Sequence, residues 1–227
     1  LQRAHLFDAG TGQVSRPLLV IFDCDGVLID SEGPAARVTA QCVTEAGWPM
    51  TPAEAQRQFM GLRLSDMPAM VERHTGRAPP AGWTDTVRSR LIAVLQNESV
   101  LIPGARAAID AVIAARLPYR VASNSSHDEM RVKFARTGLT SLMAGRIHSA
   151  RDVAAGKPAP DVFLAAARAE GIDPAHCLVI EDSVPGVRAA VAAGMAVLGL
   201  DLHGDGAALL AAGAVPIRSL AALQDRL

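Results

Sequence analysis

Residues Leu18-Leu19-Val20-Ile21-Phe22 form an uninterrupted apolar run that ends abruptly in Asp23-Cys24-Asp25-Gly26. Five apolar side chains in succession, closed by a turn, suit a strand buried on both faces, and such strands belong to parallel sheets covered by helices. The remainder of the chain supplies that partnership. After Ile102-Pro103-Gly104 the pattern predicts a helix over 105–116, a strand over 119–122 and a helix over 127–137. A weaker strand follows near Arg146–His148, then a helix from about Pro160, a strand over 177–180, a helix over 184–193 and a strand over 195–200. Two short helices with a strand remnant near Val215 close the chain. Alternation of this kind predicts an α/β fold, a Rossmann-like parallel sheet with helices on both faces.

The stretch from Ser31 to Ser99 breaks the alternation. It carries helical spacings interrupted at Gly47-Trp48-Pro49, at Gly61 and over Gly76–Gly82, with no strand pattern. It reads as a small all-helical cap inserted after the first strand. The expected organisation is therefore a tail over 1–16, a core formed by 17–31 and 100–227, and a cap over 32–99. The tail carries charges but lacks the apolar stretch of a secretory signal.

Composition narrows the partners. With 22 Lys plus Arg against 23 Asp plus Glu, the chain lacks the basic excess of a general nucleic-acid binder. Its longest apolar stretch, Ala189–Leu200, contains two glycines and falls short of the roughly 20 residues that cross a bilayer. Cys24, Cys42 and Cys177 are odd in number and widely spaced, which disfavours a disulfide framework or a zinc site and suits the cytoplasm. The expectation is a soluble protein that binds neither nucleic acid nor membrane, as a monomer or weak homodimer.

In parallel sheets ligands gather beyond the carboxyl ends of the strands, and four such ends carry polar groups here. Asp23 and Asp25 follow the first strand, where their mutual repulsion calls for a cation or a proton; the same string also forms ordinary Asx turns. Ser123-Asn124-Ser125 closes the second, offering donors of the kind that hold phosphate oxygens or cap helices. Lys157, one of two lysines in the chain, lies between Gly156 and Pro158-Ala159-Pro160, whose rings restrict the backbone. Glu181-Asp182-Ser183 ends a further strand before Pro185-Gly186, where acids also favour a helix N-terminus.

In this order the four segments resemble the motifs of the haloacid dehalogenase-like hydrolase superfamily, over nearly all of residues 18–200. Asp23-Cys24-Asp25-Gly26 looks like the first motif, Ser123-Asn124 the second, Lys157-Pro158 the third and Glu181-Asp182-Ser183 the fourth. The branch it is most similar to contains β-phosphoglucomutase and sugar-phosphate phosphatases with a helical cap of the first type. The resemblance implies that Asp23 is the nucleophile and Asp25 the general acid and base. It further implies that Ser123, the amide of Asn124 and Lys157 bind phosphate. Mg²⁺ would be held by Asp23, the carbonyl of Asp25 and Asp182, with Glu181 orienting a bound water. Arg63, in Gly61-Leu62-Arg63, resembles a substrate-specificity position.

Within that superfamily the residues favour phosphate-ester hydrolysis. Asp25 supplies an acid that a dehalogenase does not need, and the absence of lysine between Ser31 and Ser99 removes the Schiff base of phosphonatases and a lysine expected of the mutase. Ala35 stands where the mutase has a cap histidine. The expected function is a phosphatase acting on a small phosphorylated metabolite such as a sugar or polyol phosphate, with a phosphosugar mutase as the alternative and a non-catalytic binding protein behind both.

Overall fold

The computed structural model describes residues 16–59, 62, 64–202, 204 and 206–227. In chain order the elements are β1 (Leu19–Phe22), β2 (Ile29–Asp30), α1 (Glu32–Glu45), α2 (Pro52–Phe59), α3 (Met67–Thr75), α4 (Trp83–Glu98) and β3 (Val100–Leu101). They continue with α5 (Ala105–Ala114), β4 (Tyr119–Ser123), α6 (His127–Arg136), α7 (Thr140–Met143), β5 (Ile147–Ser149) and α8 (Asp161–Glu170). The last are β6 (Cys177–Glu181), α9 (Val184–Ala192), β7 (Ala196–Leu200), α10 (Ala207–Ala212) and β8 (Val215–Ile217).

Six strands form one parallel sheet in the order β5-β4-β1-β6-β7-β8. The most apolar run of the sequence thus occupies an interior place, where all four residues of β1 are fully buried. Complete burial of each such side chain favours folding by about 1.5–3 kcal/mol. One core cluster joins Leu19 and Ile21 of β1 and Cys177 and Val179 of β6 to Phe163 and Ala166 of α8 and Val187 and Ala190 of α9. The β1–β6 register, with Phe22 opposite Ile180, brings the residues after both strands to one edge. The Asp23 amide extends that ladder by donating to the Ile180 carbonyl at 2.9 Å.

The chain divides into two compact units. The first, which holds the six-stranded sheet, comprises residues up to Ile29 with Leu101–Ser126 and Ser141–Leu227. The second comprises Asp30–Val100 and His127–Thr140. Its four main helices, α1 to α4, are separated where the glycine and proline breaks predict. Its core gathers Val43, Phe59, Met67, Val71, Trp83 and Leu91. The sequence reading gives residues 127–140 to the sheet unit, whereas they cluster with the helical one. The reason is that α6 packs along α4, where Arg136 Nε donates to the Asn97 carbonyl at 3.2 Å. Linear order does not reveal such an exchange. The two-residue strands β2 and β3, which pair with each other, are too short to leave an alternating pattern.

Candidate active site

The loop after β1 is folded back on itself. Gly26 donates to the Ile29 carbonyl at 2.8 Å, and Leu28 and Ile29 both donate to the Cys24 carbonyl at 3.0 and 2.9 Å. Gly26 has φ +77°, a left-handed conformation that L side chains rarely adopt. A Cβ there would also overlap the Asp182 carboxylate. The glycine therefore makes room for an acid contributed by a strand end far away in sequence.

Lys157 is the hub of the site. Its Nζ lies 2.6 Å from Asp23 Oδ1 and 2.7 Å from Glu181 Oε1, and it sits 4.7 Å from the centroid of the Phe163 ring. All three ion-pair partners are buried. Burial works against the ammonium charge, but Asp23 and Glu181 outweigh it and hold Lys157 above the ordinary lysine range. Burial pushes the Asp23 carboxyl up to about 7, with the charges of Glu181 and Asp25 adding to it and Lys157 opposing it. Removing a carboxylate from water is unfavourable unless positive charge compensates. One lysine shared between two acids leaves room for a further cation.

The side chains flanking Lys157 are themselves held. Asn124 brackets the lysine backbone, its Oδ1 accepting from Lys157 N at 2.9 Å and its Nδ2 donating to Lys157 O at 3.4 Å. Glu181 accepts from the Ser183 amide at 2.7 Å and the Ser183 hydroxyl at 2.9 Å, both on Oε2. Ser183 caps α9 by accepting from the Gly186 amide at 3.1 Å. A Cβ on Gly186 would overlap the Glu181 carboxylate. Both Glu181 oxygens are thus committed to protein donors.

Asp23, Glu181 and Asp182 each offer an oxygen within 4.8 Å of the others. An all-oxygen, anionic donor set suits a hard divalent cation, and the space left open by Gly26 lets Asp182 approach. These residues fit a metal ion. Because Glu181 is engaged with Lys157 and Ser183, the oxygens best placed for an ion are those of Asp23 and Asp182.

The structure brings Asp23, Asp25, Ser123, Asn124, Lys157, Glu181 and Asp182 into the sheet unit, at and just beyond the carboxyl ends of β1, β4 and β6 or in the loop before α8. Ser123 is buried, and its Oγ accepts from the Ser125 amide at 3.0 Å. Arg63 lies outside the described residues. Sequence reasoning missed Ser183, Gly186 and Phe163 as supports of Lys157 and Glu181. Only the Ser-x-x-Gly spacing after Glu181-Asp182 carried a signal, that of a helix cap. In the helical unit Trp48 stacks on His74 with ring centroids 3.9 Å apart, and Trp83 Nε1 donates to the buried Cys42 carbonyl at 3.2 Å. Both tryptophans are packing residues.

The family model for haloacid dehalogenase-like hydrolases matches residues 18–194. Hexitol phosphatase B of Escherichia coli K12 is 31% identical over 183 residues, covering 78% of this chain and 81% of that protein. The 6-phosphogluconate phosphatase of the same strain is 29% identical over 185 residues, covering 81% and 82%. A crystal structure of a HAD family hydrolase from Deinococcus radiodurans R1, with bound phosphate and sodium, superimposes with a TM-score of 0.74 at 34% identity, covering 92% of this chain and 94% of that one. Among the described residues no helix is long and apolar enough to cross a membrane. With the four motif segments assembled around Lys157 and the family match extending from β1 past α9, the chain belongs to the haloacid dehalogenase-like hydrolases.

Proposed function

We propose that this chain is a Mg²⁺-dependent phosphatase that hydrolyses a small phosphorylated metabolite, a sugar or polyol phosphate, through an aspartyl-phosphate on Asp23. The observation that carries the reading is Lys157 bridging Asp23 and Glu181 beside Asp182. A carboxylate fixed by an ammonium on one oxygen, at the mouth of a parallel sheet, is oriented for in-line attack by the other.

In the first half-reaction an Asp23 oxygen bonds to phosphorus as the ester P–O bond breaks. The departing oxygen takes a proton from Asp25. In the second, Asp25 accepts a proton from water as that water attacks phosphorus, and the P–O bond to Asp23 breaks to release inorganic phosphate. Lys157, Ser123 and the Asn124 amide would position and neutralise the phosphoryl oxygens. Asp23, Asp182 and the carbonyl of Asp25 would hold Mg²⁺, which when bound stabilises the negative charge of the transferring group.

Two relatives named for hexitol phosphates and 6-phosphogluconate support a polyhydroxylated leaving group. Ala35, where the mutase has a histidine, packs against the core of the helical unit and supplies no acid or base, which supports hydrolysis over transfer back to a sugar. Three buried cysteines that form no disulfide suit a reducing compartment such as the cytoplasm. The test is a screen of phosphorylated metabolites with Mg²⁺, following released phosphate. The reading expects turnover of hexitol, hexose or sugar-acid phosphates that vanishes in Asp23→Asn and without metal. Release of phosphate from none of them, or undiminished turnover by the variant, would contradict it.

A further inference from the structure

Ser125, 100 residues from Asp25 in sequence, donates its hydroxyl to Asp25 Oδ2 at 2.8 Å. The serine is fixed from both sides. Its amide donates to Ser123 Oγ at 3.0 Å, and its carbonyl accepts from Ser149 Oγ at 2.7 Å. Ser149 is fully buried at the end of β5, opposite Ser123 in the sheet register. Ser149 also accepts from the Arg151 amide at 3.1 Å in a small capping turn, so its own hydroxyl is oriented. Two adjacent strand ends therefore clamp the Ser125 backbone. Its hydroxyl extends that rigidity to a half-buried carboxyl group on a different loop.

We propose that Ser125 is a positioning residue for Asp25: it pins Oδ2, so that Oδ1 is the oxygen that carries the proton to the leaving group. The proposal rests on Asp25 being the general acid. As the ester bond breaks, the Oδ1–H bond breaks and a new O–H bond forms on the departing alcohol, while Oδ2 stays hydrogen-bonded to Ser125. A carboxyl group free to rotate would present its proton in the productive direction only part of the time. Displacement of a catalytic group by about 1 Å costs on the order of 100-fold in rate.

The test is the leaving-group dependence of kcat/KM, which reports steps up to release of the alcohol. An alkyl phosphate such as glycerol phosphate needs the acid, whereas p-nitrophenyl phosphate, whose leaving group is stable as an anion, needs it far less. Ser125→Ala should lower kcat/KM by at least about 10-fold on the alkyl ester and by no more than about 3-fold on the aryl ester. Ser125→Thr, which keeps the hydroxyl, should restore most of the difference, and Ser149→Ala should show a weaker version of it. Thermal melts of each variant establish that the fold is retained. In the double variant Ser125→Ala/Asp25→Ala the losses should not add, because the serine acts only through the aspartate.

Equal losses on both esters, or additive losses in the double variant, would overturn the proposal and mark Ser125 as a direct phosphate ligand. If Asp25→Ala shows the steep leaving-group dependence and Ser125→Ala does not, the positioning role fails and the assignment of Asp25 stands. If Asp25→Ala itself loses equally on both esters, the acid assignment falls and the positioning role falls with it.

Discussion

The ammonium of Lys157 lies 2.6 Å from Oδ1 of Asp23, across 134 residues of sequence, in surroundings that exclude nearly all water. Replacing the lysine by methionine keeps the length of the side chain and removes its charge. Two buried carboxylates, Asp23 and Glu181, would then face each other uncompensated. Breaking a buried ion pair from one side typically costs about 3–5 kcal/mol, and removing one preorganised donor to a transition-state anion costs about 10²–10³ in kcat. Lys157→Met should therefore show both a lower denaturation midpoint and a collapse of turnover. Loss of activity at unchanged stability would show that the acids find another partner.

Gly186 controls the same network from the far side. Alanine there would drive its Cβ into the Glu181 carboxylate, which is already tied to Lys157 and Ser183. Glu181 must move, and Lys157 with it. Gly186→Ala should lower kcat about 100-fold, as expected for displaced catalytic groups. Ser183→Ala, which removes one of the two Ser183 bonds to Glu181 and the cap of α9, should cost about 1 kcal/mol of stability with a smaller kinetic effect. Full activity in Gly186→Ala would contradict the account of Glu181 as organiser of Lys157.

Asp23 gives the metal a pH dependence. Its carboxyl sits at about 7 in the folded chain without a cation, against an ordinary value of 3.8, chiefly because of burial. The folded state therefore holds this proton more tightly than the unfolded state. In metal-free protein the contribution of Asp23 to stability falls as pH rises from about 4 towards 7 and is level above that. A divalent cation binding the ionised carboxylate must displace the proton below pH 7, so its apparent affinity should rise by up to about tenfold per pH unit and then level off. The rise in Tm produced by Mg²⁺, measured from pH 5 to 8, should follow that curve. A Mg²⁺ shift independent of pH would remove Asp23 from the ligand set.

The three cysteines should be silent. Cys24, Cys42 and Cys177 are all buried. Burial, aided by the charge of Asp173, pushes the Cys177 thiol up to about 12. Cys42 is also raised by burial, although Arg90 opposes it. Only thiolates react readily. A thiol reagent should therefore modify none of them in native protein, and all three on unfolding. Because Cys42 belongs to the helical unit and the other two to the sheet unit, its labelling in low denaturant would report whether the units open separately.

How much of this was legible in the sequence depended on whether a residue's environment left a mark on its neighbours. Leu19–Phe22 did so, because burial on both faces demands an unbroken apolar run. The helix breaks at Gly47-Trp48-Pro49 and Gly76–Gly82 did so through backbone chemistry. Asp23, Glu181 and Asp182 stand out because paired acids follow strand ends, and Lys157 because a scarce lysine lies between a glycine and prolines. Ser149 left nothing to find, Ser125 stood only as one more polar donor at a strand end and Gly186 only as part of a helix cap, since such residues are ordinary until the partner across the fold is known. The second lysine shows the same limit: Lys133, unremarkable in sequence, is as buried as Lys157 but lies on α6 in the other unit. The shift of α6 to the helical unit was hidden for the same reason, because packing partners are not encoded by order along the chain.

The claim on which the mechanism stands is that Asp23 becomes phosphorylated. A single turnover of a phosphorylated metabolite with Mg²⁺, quenched in acid within the burst and digested for mass spectrometry, tests it directly. The account predicts a phosphoryl group on the peptide containing Asp23, transient in time and absent from Asp23→Asn. Release of phosphate with the modification on another side chain, or on none, would contradict it.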